Sequence, residues 1–585
     1  VIVAEAVGRT LVRLGADRAF GVVGSGNFHV TGAMVAAGAR YVAARHESGA
    51  AVMADAYARV SGKLGVVTVH QGCGLTNALT GITEAAKSRT PLIVLAADTP
   101  AADLRSNFRV DQDALAHAVG ARAERVHGPE TAVADTVRAC RLAVSGRRTV
   151  VLNLPVDVQS RQVPLPLTEP EPEPPRLHRP APAAEAVAEL GRLLMRSRRP
   201  VFIAGRGALS GPGPSAGERP AADALRELGA ATGALLATSA VARGLFHGDP
   251  WSLDVSGGFS SPLAAELISG ADLVVGWGCA LNKWTTRHGA LIAPDASLVQ
   301  VDLDAEAIGA HRPVTLGIVG DTAATASAVT AFLAGGGGQP AAEDPPADGL
   351  RGYRSEELRA RIGSELAWNT VPYTDDSTDG NTNGSTDGNR DGNTDGNIDP
   401  RTLSVRLDGL LPRERVLAVD SGNFMGYPAM FLSVPDEQGF CFTQAFQSIG
   451  LGLATAIGAA LARPDRLPVA ALGDGGALMG VSELETVVRL GLPMAVVVYN
   501  DRAYGAEVHH FAGDGADLST VTFPDTDIAA LARGLGYTGV TVRGEDDLEA
   551  VASWVDGPRS TPLLVDAKIT STEGSWWLKE AFRAH

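Results

Sequence analysis

Leu472-Gly473-Asp474-Gly475-Gly476, with Tyr499-Asn500-Asp501 further along, is the stretch that decides the fold of this 585-residue chain. Pro468 to Leu472 is a short apolar run suited to a buried strand, and it ends in glycines set around one aspartate. A helical pattern follows, with Leu478, Val481, Leu484 and Val488 on one side and Glu483, Glu485 and Arg489 on another. Pro493 breaks it, and Met494 to Tyr499 reads as a second buried strand. This is one βαβ unit. Both polar clusters are therefore expected at the carboxyl ends of neighbouring parallel strands, where open α/β sheets bind ligands.

Glycines let a backbone approach phosphate, and a helix that starts there points free N–H groups and a positive dipole end at it. A diphosphate so held needs a cation. Asp474 and Asp501 offer two hard oxygen ligands on adjacent loops, which suits Mg²⁺ sharing phosphate oxygens. A lone Gly-Asp-Gly reads as well as a strand-to-helix turn with an Asp cap; the Asn-Asp pair at the next strand end favours the ligand.

The order GDG, helix, strand, Asn-Asp resembles the motif of the thiamine-diphosphate enzymes of the pyruvate decarboxylase, acetolactate synthase and benzoylformate decarboxylase group. The resemblance runs through nearly the whole chain. It implies thiamine diphosphate and Mg²⁺ as cofactors, with Gly473, Gly475 and Gly476 at the diphosphate. Asp474, Asp501 and the carbonyl of Ala503 are the implied metal ligands. Asp501 stands where many members have Asn, still an oxygen donor.

At this length several cores are needed, and three domains are the natural expectation. Hydrophobic residues make up 45% of the chain and the mean hydropathy is near zero, as in a soluble globular protein. The net charge of −16 argues against a nucleic-acid partner, whose phosphates need Lys and Arg. Cys73, Cys140, Cys279 and Cys441 are scattered without a CxxC, which fits a reducing cytoplasm. No apolar run reaches membrane-spanning length and no signal-peptide pattern opens the chain.

Helical and strand patterns alternate, so an α/β fold is expected, with three domains that are each a parallel sheet flanked by helices. By resemblance these are a pyrimidine-binding domain at 1–165, a central domain at 185–334 and a diphosphate-binding domain at 399–585. Residues 166–184 and 335–398 read as linkers, the second containing a low-complexity run at 374–397 that should be a mobile loop.

In the first domain a strand at Tyr41 to Ala44 leads into Arg45-His46-Glu47-Ser48-Gly49. A carboxylate there, with an apolar helix behind it, is expected to be partly desolvated. "RHE.GA..MADAYAR.SGK.GV" resembles the family's pyrimidine-domain signature, whose glutamate protonates N1′ of the aminopyrimidine; that role falls to Glu47. The loop His70-Gln71-Gly72-Cys73-Gly74 precedes Thr76-Asn77, and Asn77 is placed with the cofactor. Cys73 reads as a buried small hydrophobe. His70 and Ser25 occupy the positions of a histidine and a loop serine in the benzoylformate decarboxylase pocket, although a lone histidine is as often structural. Asn107 to Gln112 partly resembles a pocket-facing loop of the acetolactate synthases, with Phe108 and Gln112 as its pocket residues.

In the third domain Ser421, Gly422 and Asn423 form a polar loop at a strand end, expected at the cofactor. By resemblance Ile449 supports the bent cofactor and the carbonyl of Gln447 accepts from its 4′-amino group. Glu507 is a proton relay by the same comparison, while His509 and His510 suit a solvated lip equally well. In the central domain Gly205 and Gly207 are too short a glycine motif to assign FAD, and no flavin is favoured. Leu281 to Thr285 are placed at the pocket mouth, and His288 is a candidate second catalytic histidine.

Glu47 and Asp474 lie in different domains, and the family's interface implies a homodimer or homotetramer. The expected reaction is decarboxylation of a 2-keto acid, with the remaining unit released or passed to a second carbonyl acceptor. Acetolactate-synthase-like carboligation is favoured. A simple decarboxylase and a non-catalytic cofactor-binding paralogue are the alternatives. A nicotinamide site is excluded because Gly24-x-Gly26 lacks the third glycine in register.

Overall fold

A computed structural model describes residues 1–164, 179–209, 219–336, 352–372, 397–571 and 574–581. The expected run at 374–397 lies almost wholly outside them.

Three six-stranded sheets organise the chain. The first contains β1 (Arg18–Gly21), β2 (Arg40–Ala43), β3 (Gly65–Val69), β4 (Leu92–Asp98), β5 (Arg122–Arg125) and β6 (Thr149–Pro155), in the order β2-β1-β3-β4-β6-β5. The second contains β7 (Pro200–Ala204), β8 (Leu235–Thr238), β9 (Ser252–Val255), β10 (Leu273–Trp277), β11 (Ser297–Asp302) and β12 (Leu316–Val319). Its order, β9-β8-β7-β10-β11-β12, is the doubly wound arrangement with its switch point between β7 and β10. The third contains β13 (Arg415–Val419), β14 (Phe440–Phe442), β15 (Leu467–Gly473), β16 (Ala495–Asn500), β17 (Thr538–Val542) and β18 (Leu563–Lys568). Its order β14-β13-β15-β16-β18-β17 repeats that of the first sheet strand for strand.

The pairings are parallel, and β3, β4, β6, β7, β13 and β16 are buried along their whole length. That is why these segments read as continuous apolar runs instead of alternating ones. The first and third domains share one core, in which Phe20, Met53 and Leu75 pack with Ile457, Leu472 and Leu484. Its joint is the helix Glu47–Ser61 lying against the helix Gly452–Ala462, both rich in alanine. The backbones meet so closely that a Cβ on Gly458 would lie 2.2 Å from the Met53 carbonyl oxygen and 2.9 Å from the Ala56 Cβ.

An ion network joins the three domains. Arg59 pairs with Asp55 at 2.6 Å and with Glu84 at 2.8 Å, and donates to the Phe442 carbonyl at 3.1 Å. Arg206 of the central domain donates to the Ser88 carbonyl at 2.7 Å. Burial takes the Arg206 guanidinium down to about 9, with the neighbouring Arg59 charge adding to it.

Three local expectations differ from the structure. The pattern after Asp474 is two helices, Asp474–Met479 and Glu483–Arg489, broken at Gly480. The break rephases the stripe, so Leu478 is exposed and Glu483, expected on the polar side, is buried. Residues 352–372, expected as linker, hold a helix at Glu356–Glu365 whose Leu358 and Ile362 pack into the central-domain core. Cys73 is exposed, as the first residue of the helix Cys73–Lys87 beyond the carboxyl end of β3.

Candidate active site

The expected metal loops close on each other. Asp474 opens its helix directly after β15, and Asp501 follows β16, the strand paired with it. Burial raises both carboxyl groups, with the Asp474 charge raising Asp501 further. Two like carboxylates in so dry a place call for a cation. Asp501 also accepts from the Ala503 amide at 3.2 Å across a turn in which Arg502 takes the left-handed conformation. Among the described residues no group of three or more His, Cys, Asp and Glu side chains converges on a metal position. A cation here would complete its shell with backbone and ligand oxygens, which is the habit of Mg²⁺.

The surrounding loops fit a ligand that comes close to the backbone. A Cβ on Gly475 would meet the Tyr504 ring at 2.8 Å, and one on Gly476 would meet Asp420 Oδ2 at 2.3 Å. Asp420, fully buried, accepts from the amides of Ser421, Gly450 and Leu451 at 2.9, 2.9 and 3.2 Å. Burial pushes its carboxyl up to about 6 against the pull of those donors. It thereby ties the Ser421-Gly422-Asn423 loop to the turn that carries Gln447 and Ile449. Gln447 is a non-glycine residue at φ +63°, a conformation held only where the surroundings impose it. Asn423 is fixed from the far end of the chain: Ser575 Oγ donates to its Oδ1 at 2.7 Å and Trp577 Nε1 to its carbonyl at 3.0 Å.

These loops border one cavity of about 1480 Å³. Ser421, Gly422, Asn423, Gln447, Ile449, Gly473, Asp474, Gly475, Gly476, Asp501, Ala503 and Glu507 all line it. The Gln444 side chain lines it too, and its amide nitrogen has no hydrogen-bond partner among the described residues. The cavity extends over the central domain, where Asn282, Lys283, Trp284, Thr285 and His288 border it, whereas Leu281, expected with them, is buried in the central-domain core. There Gly205 and Gly207 are needed for close packing on Gly278, whose Cα would lie 2.6 Å from a Cβ on Gly207.

The expected first-domain site residues Glu47, Asn77, Ser25 and His70 form a separate group that does not line this cavity, whose border in that domain runs through Lys87 to Arg89 and Ser145 to Arg148. Glu47 is half-buried at the start of its helix and accepts from Asn77 Nδ2 at 3.1 Å. Ser25 Oγ lies 3.4 Å from His70 Nε2, and His70 Nδ1 lies 3.0 Å from the Gln71 carbonyl. A proton on Nδ1 therefore leaves Nε2 as the acceptor facing Ser25. The Phe108 ring stands edge-on to His70 at 4.9 Å. Gln112 is not a pocket residue: it is buried, donates to Ala97 O and Asn153 Oδ1, and accepts from the Gly72 amide at 2.9 Å. Its amide satisfies the backbone of a tight loop, which outweighs any outward orientation. His509 packs against Gly574 and His510 against the Phe511 ring.

Comparison with known proteins decides the family. The chain matches the thiamine pyrophosphate enzyme N-terminal TPP binding domain over residues 2–119, the central domain over 187–329 and the C-terminal TPP binding domain over 420–567. The chain belongs to the thiamine pyrophosphate enzymes. Among similar proteins are a sulfoacetaldehyde acetyltransferase of Rhodobacter capsulatus, 29% identical over 99% of this chain and 96% of the relative. A probable 2-ketoarginine decarboxylase of Pseudomonas aeruginosa is 28% identical over 93% of this chain and 90% of its own length. An acetolactate synthase large subunit of Parasynechococcus marenigrum is 25% identical over 98% and 88%. As a thiamine pyrophosphate enzyme the chain has its two TPP-binding domains in the first and third sheets. No helix among the described residues is long and apolar enough to cross a membrane.

Residues that sequence reasoning passed over are structural partners of the site: Gln444, Tyr504 and the segment Ser575–Trp577.

Proposed function

We propose that this chain is a thiamine-diphosphate- and Mg²⁺-dependent enzyme that decarboxylates a 2-keto acid and passes the remaining unit to a second acceptor. The observation that carries the reading is one cavity bordered by the Asp474–Asp501 pair, the glycine loop, Gln447 and Ile449. Asp474, Asp501 and the Ala503 carbonyl would hold the Mg²⁺, which would neutralise the two carboxylates. The backbone of Gly473 to Gly476 and of Ser421 to Asn423 would receive the diphosphate. The Gln447 carbonyl would accept from the aminopyrimidine and Ile449 would support its ring.

Thiamine diphosphate, when bound, supplies a carbon nucleophile and an electron sink for loss of the carboxylate. Glu47, steadied by Asn77, would hold the proton at the pyrimidine ring nitrogen. Because Glu47 borders a different part of its own chain, a second copy would bring it to this cavity, making the working form a homodimer or a pair of them. Ser25 and His70 would arrive with it, and with Glu507 they would move protons at the substrate.

Transfer to an acceptor is favoured over simple release because relatives matched along nearly the whole chain are named acetyltransferase and acetolactate synthase. Release to an aldehyde is the second reading, favoured by the Ser25–His70 pair and by a relative named decarboxylase. No flavin is assigned, since Gly205 and Gly207 serve loop packing. The test is incubation with Mg²⁺, thiamine diphosphate and a panel of 2-keto acids, with and without aldehyde acceptors, following CO₂ and products by mass spectrometry. Absence of CO₂ from every acid, with the cofactor bound, overturns the proposal.

A further inference from the structure

Two buried glutamates outside the cavity make the same unusual contact in opposite directions. Glu483, 2% exposed, belongs to the third domain, on the second helix after that sheet's third strand. Its Oε1 accepts from the amides of Arg45 and His46 in the first domain, each at 3.0 Å, and its Oε2 from Thr486 Oγ1 at 2.7 Å. Glu84, fully buried, belongs to the first domain, on the helix after its third strand. Its carboxylate accepts from the amides of Ala445 and Phe446 in the third domain, at 3.2 and 2.7 Å.

The positions correspond. Arg45 and His46 follow β2 and immediately precede Glu47; Ala445 and Phe446 follow β14 and immediately precede Gln447. The carbonyls that end those strands are gripped across the same boundary, Phe442 by Arg59 and Ala43 by Arg489. Gly49 completes the seat, since a Cβ there would lie 2.7 Å from Glu483 Oε1.

A carboxylate removed from water is costly unless its oxygens are filled by good donors. Simple adhesion between domains would be served as well by apolar side chains, which already surround the joint. What the carboxylates add is direction: each fixes two successive peptide planes, and so the course of the chain into the next residue. We propose that Glu84 and Glu483 are reciprocal positioning residues, each domain lending the other one buried carboxylate that sets the corner carrying Glu47 or Gln447. The inference rests on the roles proposed above for those two residues. It adds that the chain's own third domain, besides offering the metal loops of one cavity, aims the glutamate destined for another.

The test uses the full-length protein and the variants Glu483→Ala and Glu483→Gln. Amide exchange is followed by mass spectrometry in peptides covering residues 40–50 and 440–450. In Glu483→Ala the first segment should exchange about tenfold faster, the scale of a lost charge-assisted hydrogen bond, with the second unchanged. Glu483→Gln, which keeps one acceptor oxygen, should restore most of the protection. In the 2-keto acid assay, kcat should fall about tenfold in the Ala variant and recover in the Gln variant, while half-saturation by thiamine diphosphate stays within about threefold.

Uniform loss of protection throughout the core would reduce Glu483 to a stability role and overturn the proposal. So would unchanged exchange at 40–50, or unaltered kcat in an active Glu483→Ala enzyme. If the wild-type protein proves inactive with every acid, the function proposed above fails separately, and the exchange pattern alone decides the positioning role.

Discussion

Gly458→Ala is the sharpest probe of how the two cofactor-binding domains are joined. The substitution sets two effects against each other. Alanine is the better helix former by about 1 kcal/mol in a helix interior, which favours the variant. The new Cβ, however, would sit 2.2 Å from the Met53 carbonyl oxygen and 2.9 Å from the Ala56 Cβ. Ordinary carbon contacts need about 3.5 Å, so the helices must part by roughly 1 Å along a joint that is otherwise packed through alanines. Overpacking of a tight core costs about 1–3 kcal/mol, and here the obstructing oxygen is backbone that cannot swing aside. The steric term should win, with a net loss of about 1–2 kcal/mol. Gly32→Ala is the control: it lies inside the helix Phe28–Ala36 with nothing within 4 Å of the added carbon, and only the propensity gain remains. Urea unfolding of both variants, followed by tryptophan fluorescence, should give a lower midpoint for Gly458→Ala and an equal or higher one for Gly32→Ala. A Gly458→Ala protein as stable as the wild type would refute the close-packed joint.

Three further outcomes are expected. Asp474→Ala should weaken Mg²⁺-dependent binding of thiamine diphosphate at least about a hundredfold in calorimetry, while Asp501→Asn, which keeps an oxygen donor and removes one like charge, should cost less than about tenfold. Glu47→Gln should retain cofactor binding and lose turnover by about a hundredfold or more, measured as CO₂ release; unchanged turnover would remove Glu47 from the mechanism. For Glu84, burial alone would raise the carboxyl, but Arg59 and the amide donors hold it below its ordinary 4.5. The folded state thus binds fewer protons there, so the contribution is full above about pH 4.5 and is lost as pH falls through the depressed value. Glu84→Gln should flatten that acid limb in thermal melts recorded from pH 7 downwards, and an unaltered slope would count against the pairing.

Much of the frame was legible because each buried parallel strand is an apolar run closed by glycine, proline or a polar loop. Gly65–Val69, Pro200–Ala204 and Arg415–Val419 are such runs. The Asp474–Asp501 encounter was legible too, since two strand ends of one βαβ unit have to be neighbours. What stayed hidden depends on contacts between distant segments. Glu483 sits in a helical pattern that looks continuous, and only the break at Gly480 turns it inward. Gln112 carries the same side chain whether it meets a ligand or satisfies the Gly72 amide, and the choice is made by a loop forty residues away. Nor does anything local show that the Ala445 and Phe446 amides, just past the end of β14 at Phe442, are taken by Glu84.

The first and third sheets repeat one strand order. One scaffold has thus been fitted out twice, and on the function proposed above the acid beside an amide at one copy's rim would handle a proton while the paired acids at the other's would handle a charge of two. A division of labour of this kind leaves neither half competent alone, and it makes the angle between the halves, more than the furnishing of either, the quantity that folding has to get right.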